Sequence, residues 1–162
     1  VCEAKNLNAQ AIALKDVKEK FDCATAIFDV LNYIPKKELK QFIKETNLVL
    51  NQGAYFIFDV NSLFGFEEVA QGCITIDVED KFIAIDANFE NNKLQTDITL
   101  FEKQENGLFS KENDSIIQEY HSKEFLSKVL KECNFEIVEI KEFNLHTDDN
   151  ADKLIFICKK IA

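Results

Sequence analysis

The chain has 162 residues, 46% of them hydrophobic, and a formal net charge of −10. That is apolar material enough for one packed domain. An acidic chain without a basic cluster excludes direct binding to a phosphate backbone, and no apolar run approaches membrane-spanning length.

The five cysteines, Cys2, Cys23, Cys73, Cys133 and Cys158, are odd in number and show no C-x-x-C spacing. They indicate neither a disulfide framework nor a zinc site, so a cytoplasmic protein is expected. Cys23, Cys73 and Cys158 lie in apolar runs and read as small core residues.

Residues 1–10 read as the end of a helix and a turn. Ala11–Leu14 reads as a short strand closed by Lys15 and Asp16. Phe21–Ile27 is apolar on both faces apart from Asp22 and Thr25, which suits a central parallel strand covered by helices on both sides. Pro35, the sole proline, suits the turn into the next helix. Leu39, Phe42, Ile43, Thr46, Val49 and Leu50 then recur at helical spacing against a lysine-rich outer face, predicting a helix over 37–50. Gly53 is placed to give it a left-handed cap. Ala54–Val60 is the next buried strand, expected parallel to and beside the first through a right-handed crossover.

Residues 66–121 change period. ITIDV, KFIAIDANF and KLQTDITLFEK alternate apolar and polar residues between short polar turns, and SIIQEYH is a candidate further strand. This predicts an antiparallel meander with one wet face, with Ile74, Ile76 and Val78 together, as Ile83 and Ile85. Ser122 is placed to cap a helix whose buried stripe is Phe125, Leu126, Val129, Leu130 and Cys133. Phe135–Phe143 and Lys153–Lys159 read as closing strands.

Ligands of open α/β sheets bind outside the carboxyl ends of the strands. Here those ends hold Asp16, the stretch Ala26 to Asp29, and Asp59 to Asn61. Each also has a plain structural reading: Asp16 as a turn residue, Asp29 as a helix cap, Asp59 as a strand-end turn residue. Tyr33 reads equally as a packing aromatic, and His121 as a helix-boundary residue. His146, near Asp148, Asp149 and Asp152, matches no metal-loop spacing, so no metal is expected.

FDCATAIFDVLNYI, the helix ending VLNQG, and YFIFDVNS follow one another in an order that resembles class I S-adenosylmethionine-dependent methyltransferases, in particular a small bacterial type with an antiparallel insertion. The resemblance covers nearly the whole chain. It implies an α/β, Rossmann-like sheet truncated on its N-terminal side, with residues 1–65 as partial core, 66–121 as insertion, and 122–162 as closing helix and strands. It implies S-adenosylmethionine as cofactor and a small-molecule methyl acceptor. It places Asp16 and Val17 against the adenine, and Ala26, Ile27 and Phe28 beside the methionine part. Tyr33 and Asp59 would face the transferring methyl as catalytic candidates, and Asn61 would bind substrate. The insertion would form a lid or a dimer surface. Relatives often carry His and Arg where this chain has Ile116 and Glu119, which implies a different acceptor side.

The family's glycine-rich turn and ribose-binding acid are not matched, since Gly53, Gly65, Gly72 and Gly107 cannot supply that turn. The chain is therefore expected to be a C-terminal part, inactive alone and weak in cofactor binding. The Phe21 strand would become an edge, either self-associating or covered by Ala11–Leu14. The competing expectation is a non-catalytic binding or dimerisation module on the same scaffold.

Overall fold

The computed structural model describes residues 11–146 and 150–161. The helix end and turn expected at 1–10, and the loop residues Asp148 and Asp149, lie outside the described residues. A mixed sheet carries β1 (Phe21–Ala26), β2 (Leu50–Asn61), β7 (Phe135–Phe143) and β8 (Lys153–Lys160), in the order β1-β2-β8-β7. A second sheet is the meander β3 (Gly72–Val78), β4 (Lys81–Glu90), β5 (Lys93–Lys103) and β6 (Phe109–Glu119), in sequence order. Helices α1 (Lys36–Leu48) and α2 (Lys123–Glu132) complete the chain.

The expected unit β1-α1-β2 is present. The two strands are parallel, with Cys23 opposite Tyr55 and Ala26 opposite Phe58. Leu39 and Ile43 of α1 and Leu126, Val129 and Leu130 of α2 bury against Phe56, Phe58, Phe156 and Cys158 of the sheet. The Phe58 and Phe156 rings stack at 4.8 Å. Pro35 stands immediately before α1, and its carbonyl accepts from Glu38 N at 2.7 Å. Ser122 caps α2 by accepting from Phe125 N at 3.2 Å. Lys160 Nζ closes the other end of α1, donating to Asn47 O at 2.9 Å and to Leu50 O at 3.0 Å.

Several expectations are corrected. Ala11–Leu14 is not a strand: the chain there is irregular and enters a 3-10 turn, Leu14–Asp16, that packs on α1. It pairs with nothing in the sheet, so β1 stands at the edge among the described residues. Both helices lie on one face of that sheet. On the other face Cys23 and Thr25 are exposed, and Ile57, Ile155 and Ile157 are half-buried. Apolar character on both sides of β1 is not matched by two helical layers among the described residues. Gly53 has φ +77°, as a left-handed position requires, but it lies inside β2. The helix ends earlier, at Leu48, because β2 takes up the chain at Leu50. Cys23 and Cys73 are exposed, whereas Cys158 is fully buried and its thiol is pushed up to about 12 by desolvation.

The meander follows the period-two reading. Ile74 pairs with Ile85 and Ile76 with Ile83, so the apolar residues share one face, and β6 includes the SIIQ segment. The end nearest the core packs through Phe66, Ala87 and Leu94. Ile74 and Val78 on β3 remain 61% and 52% exposed.

Candidate functional site

After β1 the chain bends through two consecutive left-handed residues, Phe28 at φ 67° and Asp29 at φ 56°. Each such non-glycine residue costs about 1–3 kcal/mol and persists only where its surroundings hold it. Asp59, near the carboxyl end of β2, does the holding. Its Oδ1 accepts from Phe28 N at 2.8 Å and its Oδ2 from Asp29 N at 3.2 Å. Lys153, the first residue of β8, donates to Asp59 Oδ2 at 3.1 Å and also to Asp29 Oδ1. Lys153 is buried, and desolvation pushes its ammonium down. Burial likewise raises the Asp59 carboxyl, against the Phe28 N–H that favours its charge. Direct contact between the ammonium and two carboxylates favours the charged form of all three.

A 3-10 turn, Val30–Tyr33, joins this bend to the meander. Asn32 is fully buried; its Nδ2 donates to Glu119 O at 2.9 Å and its Oδ1 accepts from Asn61 N at 3.0 Å. His121, 1% exposed, places Nε2 at 3.0 Å from Leu31 O and 3.1 Å from Ile34 O. Carbonyls only accept, so Nε2 carries the proton. Nδ1 is then a buried acceptor without a partner among the described residues.

Desolvation lowers the His121 pKa, against the two carbonyls and Glu119, which favour the charged ring. Because the folded value lies below the unfolded value of about 6.5, the neutral ring's contribution is complete above that pH. It is lost as pH falls from there towards the lowered value. Urea unfolding should therefore show stability falling by up to about 1.4 kcal/mol per pH unit below pH 6.5, a slope that His121→Gln removes. An unchanged slope in the variant would show that His121 is not the group responsible.

The opposite rim is the corner before β8. Asp152, 1% exposed, accepts from Leu145 N at 2.7 Å, His146 N at 3.0 Å and His146 Nδ1 at 2.5 Å. Burial opposes its charge, but these three donors hold its carboxyl below the ordinary value. Ser62 ties the corner to β2, with Oγ donating to Ala151 O at 2.7 Å and N donating to Asp152 O at 2.9 Å.

Between these rims lies a cavity of about 510 Å³. Asp29, Tyr33, Asn61, His146, Asp152 and Lys153 line its polar side, and Ile74, Ile85, Ala87, Leu94 and Ile116 of the meander line its apolar wall. Tyr33, 49% exposed, and Asn61 both line this cavity. Asp59 stands behind them with both oxygens engaged. Ile27 and Phe28 are exposed and border a smaller apolar groove of about 180 Å³ beside Phe143, Leu145 and Ile155, while Ala26 is buried. Asp16 and Val17 lie on the turn against α1 and line neither space. Asp29 does not cap a helix through its side chain; its carboxylate takes Lys153 instead. Glu119 faces away from the cavity, accepting from Lys36 N at 2.7 Å. Lys153, Asn32 and Gln118 were not singled out by sequence reasoning, for nothing local marks them. Among the described residues no cluster of three or more His, Cys, Asp or Glu could hold a metal, and no helix is long and apolar enough to cross a membrane.

No protein-family model matches the chain, and neither does any curated protein sequence. Solved structures do match in fold. An S-adenosylmethionine-dependent methyltransferase from Clostridium acetobutylicum ATCC 824 superposes with TM-score 0.82 at 20% identity, over 99% of this chain and 68% of that one. A sugar N-methyltransferase from Streptoalloteichus sp. ATCC 53650 gives 0.72 at 11%, over 98% and 66%. An S-adenosylmethionine-bound amino pentose methyltransferase from Micromonospora echinaspora gives 0.63 at 12%, over 90% and 60%. The chain thus spans 60–68% of the length of these three structures. At such identities the likeness is one of fold: this is a Rossmann-like, class I methyltransferase fold.

Proposed function

We propose that the chain belongs to an S-adenosylmethionine-dependent methyltransferase acting on a small-molecule acceptor. The observation that carries this reading is the convergence of the carboxyl ends of β1 and β2 on one cavity within a methyltransferase fold. The cavity volume of about 510 Å³ suits a small molecule, and two of the structural neighbours act on sugars by name.

The residues present fit one wall of the cofactor. Ala26 ends β1, and the Asp59-held bend carries Ile27 and Phe28 beyond it with both apolar side chains open. Asp16 and Val17 are proposed for the adenine edge. The cofactor, when bound, supplies an electrophilic methyl group on a sulfonium. This chain's residues contribute orientation and exclusion of water, the main terms in such a transfer. Tyr33 and Asn61 meet the acceptor, Tyr33 as the proposed catalytic contact. Asp59 serves the reaction by fixing the bend. The meander closes the cavity as a lid. A cytoplasmic location fits the four described cysteines, all free.

None of the four glycines forms a phosphate- or cofactor-cradling turn at a strand end, so the chain alone should bind S-adenosylmethionine weakly and be inactive. In nuclear magnetic resonance, millimolar S-adenosylmethionine should shift the amides of Ala26, Ile27 and Phe28 saturably. Absence of shifts there sinks the reading. Calorimetric binding in the low-micromolar range, about −8 kcal/mol or better, would show instead that these residues suffice without the glycine turn.

The open β1 edge is the second proposed surface, for self-association. Thr25 is exposed there, whereas Ala24 packs on the core, so a charge belongs at Thr25. Sedimentation should show a dimer that Thr25→Lys converts to monomer. A monomeric wild-type chain contradicts this.

A further inference from the structure

We propose that His146 and Asp152 form an oriented general base serving the cavity, taking the proton of an acceptor whose nucleophile is an amine, hydroxyl or thiol. The proposal rests on the methyl-transfer reading. Asp152 is buried and immobilised by the backbone N–H groups of Leu145 and His146. Its Oδ2 accepts from His146 Nδ1 at 2.5 Å, which fixes the Nδ1–H tautomer and leaves Nε2 as the basic nitrogen. The His146 side chain is 54% exposed and lines the cavity. The other charged groups facing the cavity, Asp29 and Lys153, are committed to each other.

The step balances. The acceptor's lone pair forms the new bond to the methyl carbon, the methyl–sulfonium bond breaks to leave a neutral thioether, and the acceptor's proton passes to Nε2. One positive charge moves from sulfur to an imidazolium that Asp152 stabilises, as in other carboxylate-oriented histidines.

The test needs no cofactor. p-Nitrophenyl acetate is a small activated ester hydrolysed by accessible neutral imidazole. In the full chain with Cys2, Cys23 and Cys73 replaced by Ser, hydrolysis should exceed that of equimolar free imidazole. His146→Gln, a change at an exposed side chain, should cut the rate at least ten-fold. Asp152→Asn should lower it several-fold and shift the ring towards Nε2–H in a long-range proton–nitrogen spectrum. A His146→Gln chain keeping half the rate or more overturns the proposal. So does an Asp152→Asn chain, folded by circular dichroism, that keeps both rate and tautomer. If Asp152→Asn unfolds, the His146→Gln result decides. Failure of the methyl-transfer reading appears separately, as unshifted amides at Ala26–Phe28.

Discussion

Replacing Lys153 by Met should lower stability at pH 7 by about 3–5 kcal/mol, the usual cost of leaving a buried charge without its partner. The ammonium lies against two carboxylates, Asp29 and Asp59, and all three side chains are largely shielded from water. Met fills similar space but neutralises neither. Burial already raises the Asp59 carboxyl, and without the ammonium its folded pKa rises further above the unfolded value of about 3.9. The deficit is therefore greatest above that raised value and closes as pH falls towards 4. Asn at Asp59 in the same chain should restore part of the loss. Urea unfolding of wild type, Lys153→Met and the double variant between pH 4 and 8 measures all of this. A deficit independent of pH would mean that packing, and not charge, accounts for the role of Lys153.

The second large effect is expected at Gly65. A Cβ built there would sit 2.3 Å from the carbonyl oxygen of Asp152. The obstacle is backbone, and that carbonyl is fixed because it accepts from Ser62 N at 2.9 Å. Gly65→Ala therefore pushes apart the turn after β2 and the corner before β8. Overpacking of this kind costs about 1–3 kcal/mol, occasionally more, and Val at the position should be worse. The displacement also separates Asp152 from the cavity rim, so amide exchange should quicken at Leu145 and His146, whose N–H groups Asp152 accepts. Retained protection at those two amides would show that the corner gives way elsewhere.

Much of this architecture can be read from local pattern. The Leu39 to Leu50 stripe has helical spacing, so α1 is visible, and Ile74, Ile76 and Val78 alternate, so the meander is too. Ala11–Leu14 misled because four consecutive apolar residues satisfy a strand pattern without any partner strand. The site is less legible. Asp59, Tyr33 and Asn61 follow from strand ends, but Lys153 reads as an ordinary polar residue at the start of an apolar strand. Its partners are 94 and 124 positions away. Asn32 likewise acts through Glu119, 87 positions distant. Pairings of that range are decided by topology, which no local period encodes.

The sheet order has a consequence for synthesis. β8, the last of the described strands in chain order, lies inside the sheet between β2 and β7 rather than at an edge. Until it arrives, β2 has one open side, Phe58 lacks its stacked partner Phe156, and Asp59 has no cation. A growing chain can form β1, α1, β2 and the meander from near neighbours. Closure of the sheet must wait for the most distant contacts, which are the slow ones. The polar side of the cavity, held by Lys153 and Asp152, is thus assembled only once β8 has been made, and until then the nascent chain carries an unpaired, phenylalanine-rich strand open to chaperones.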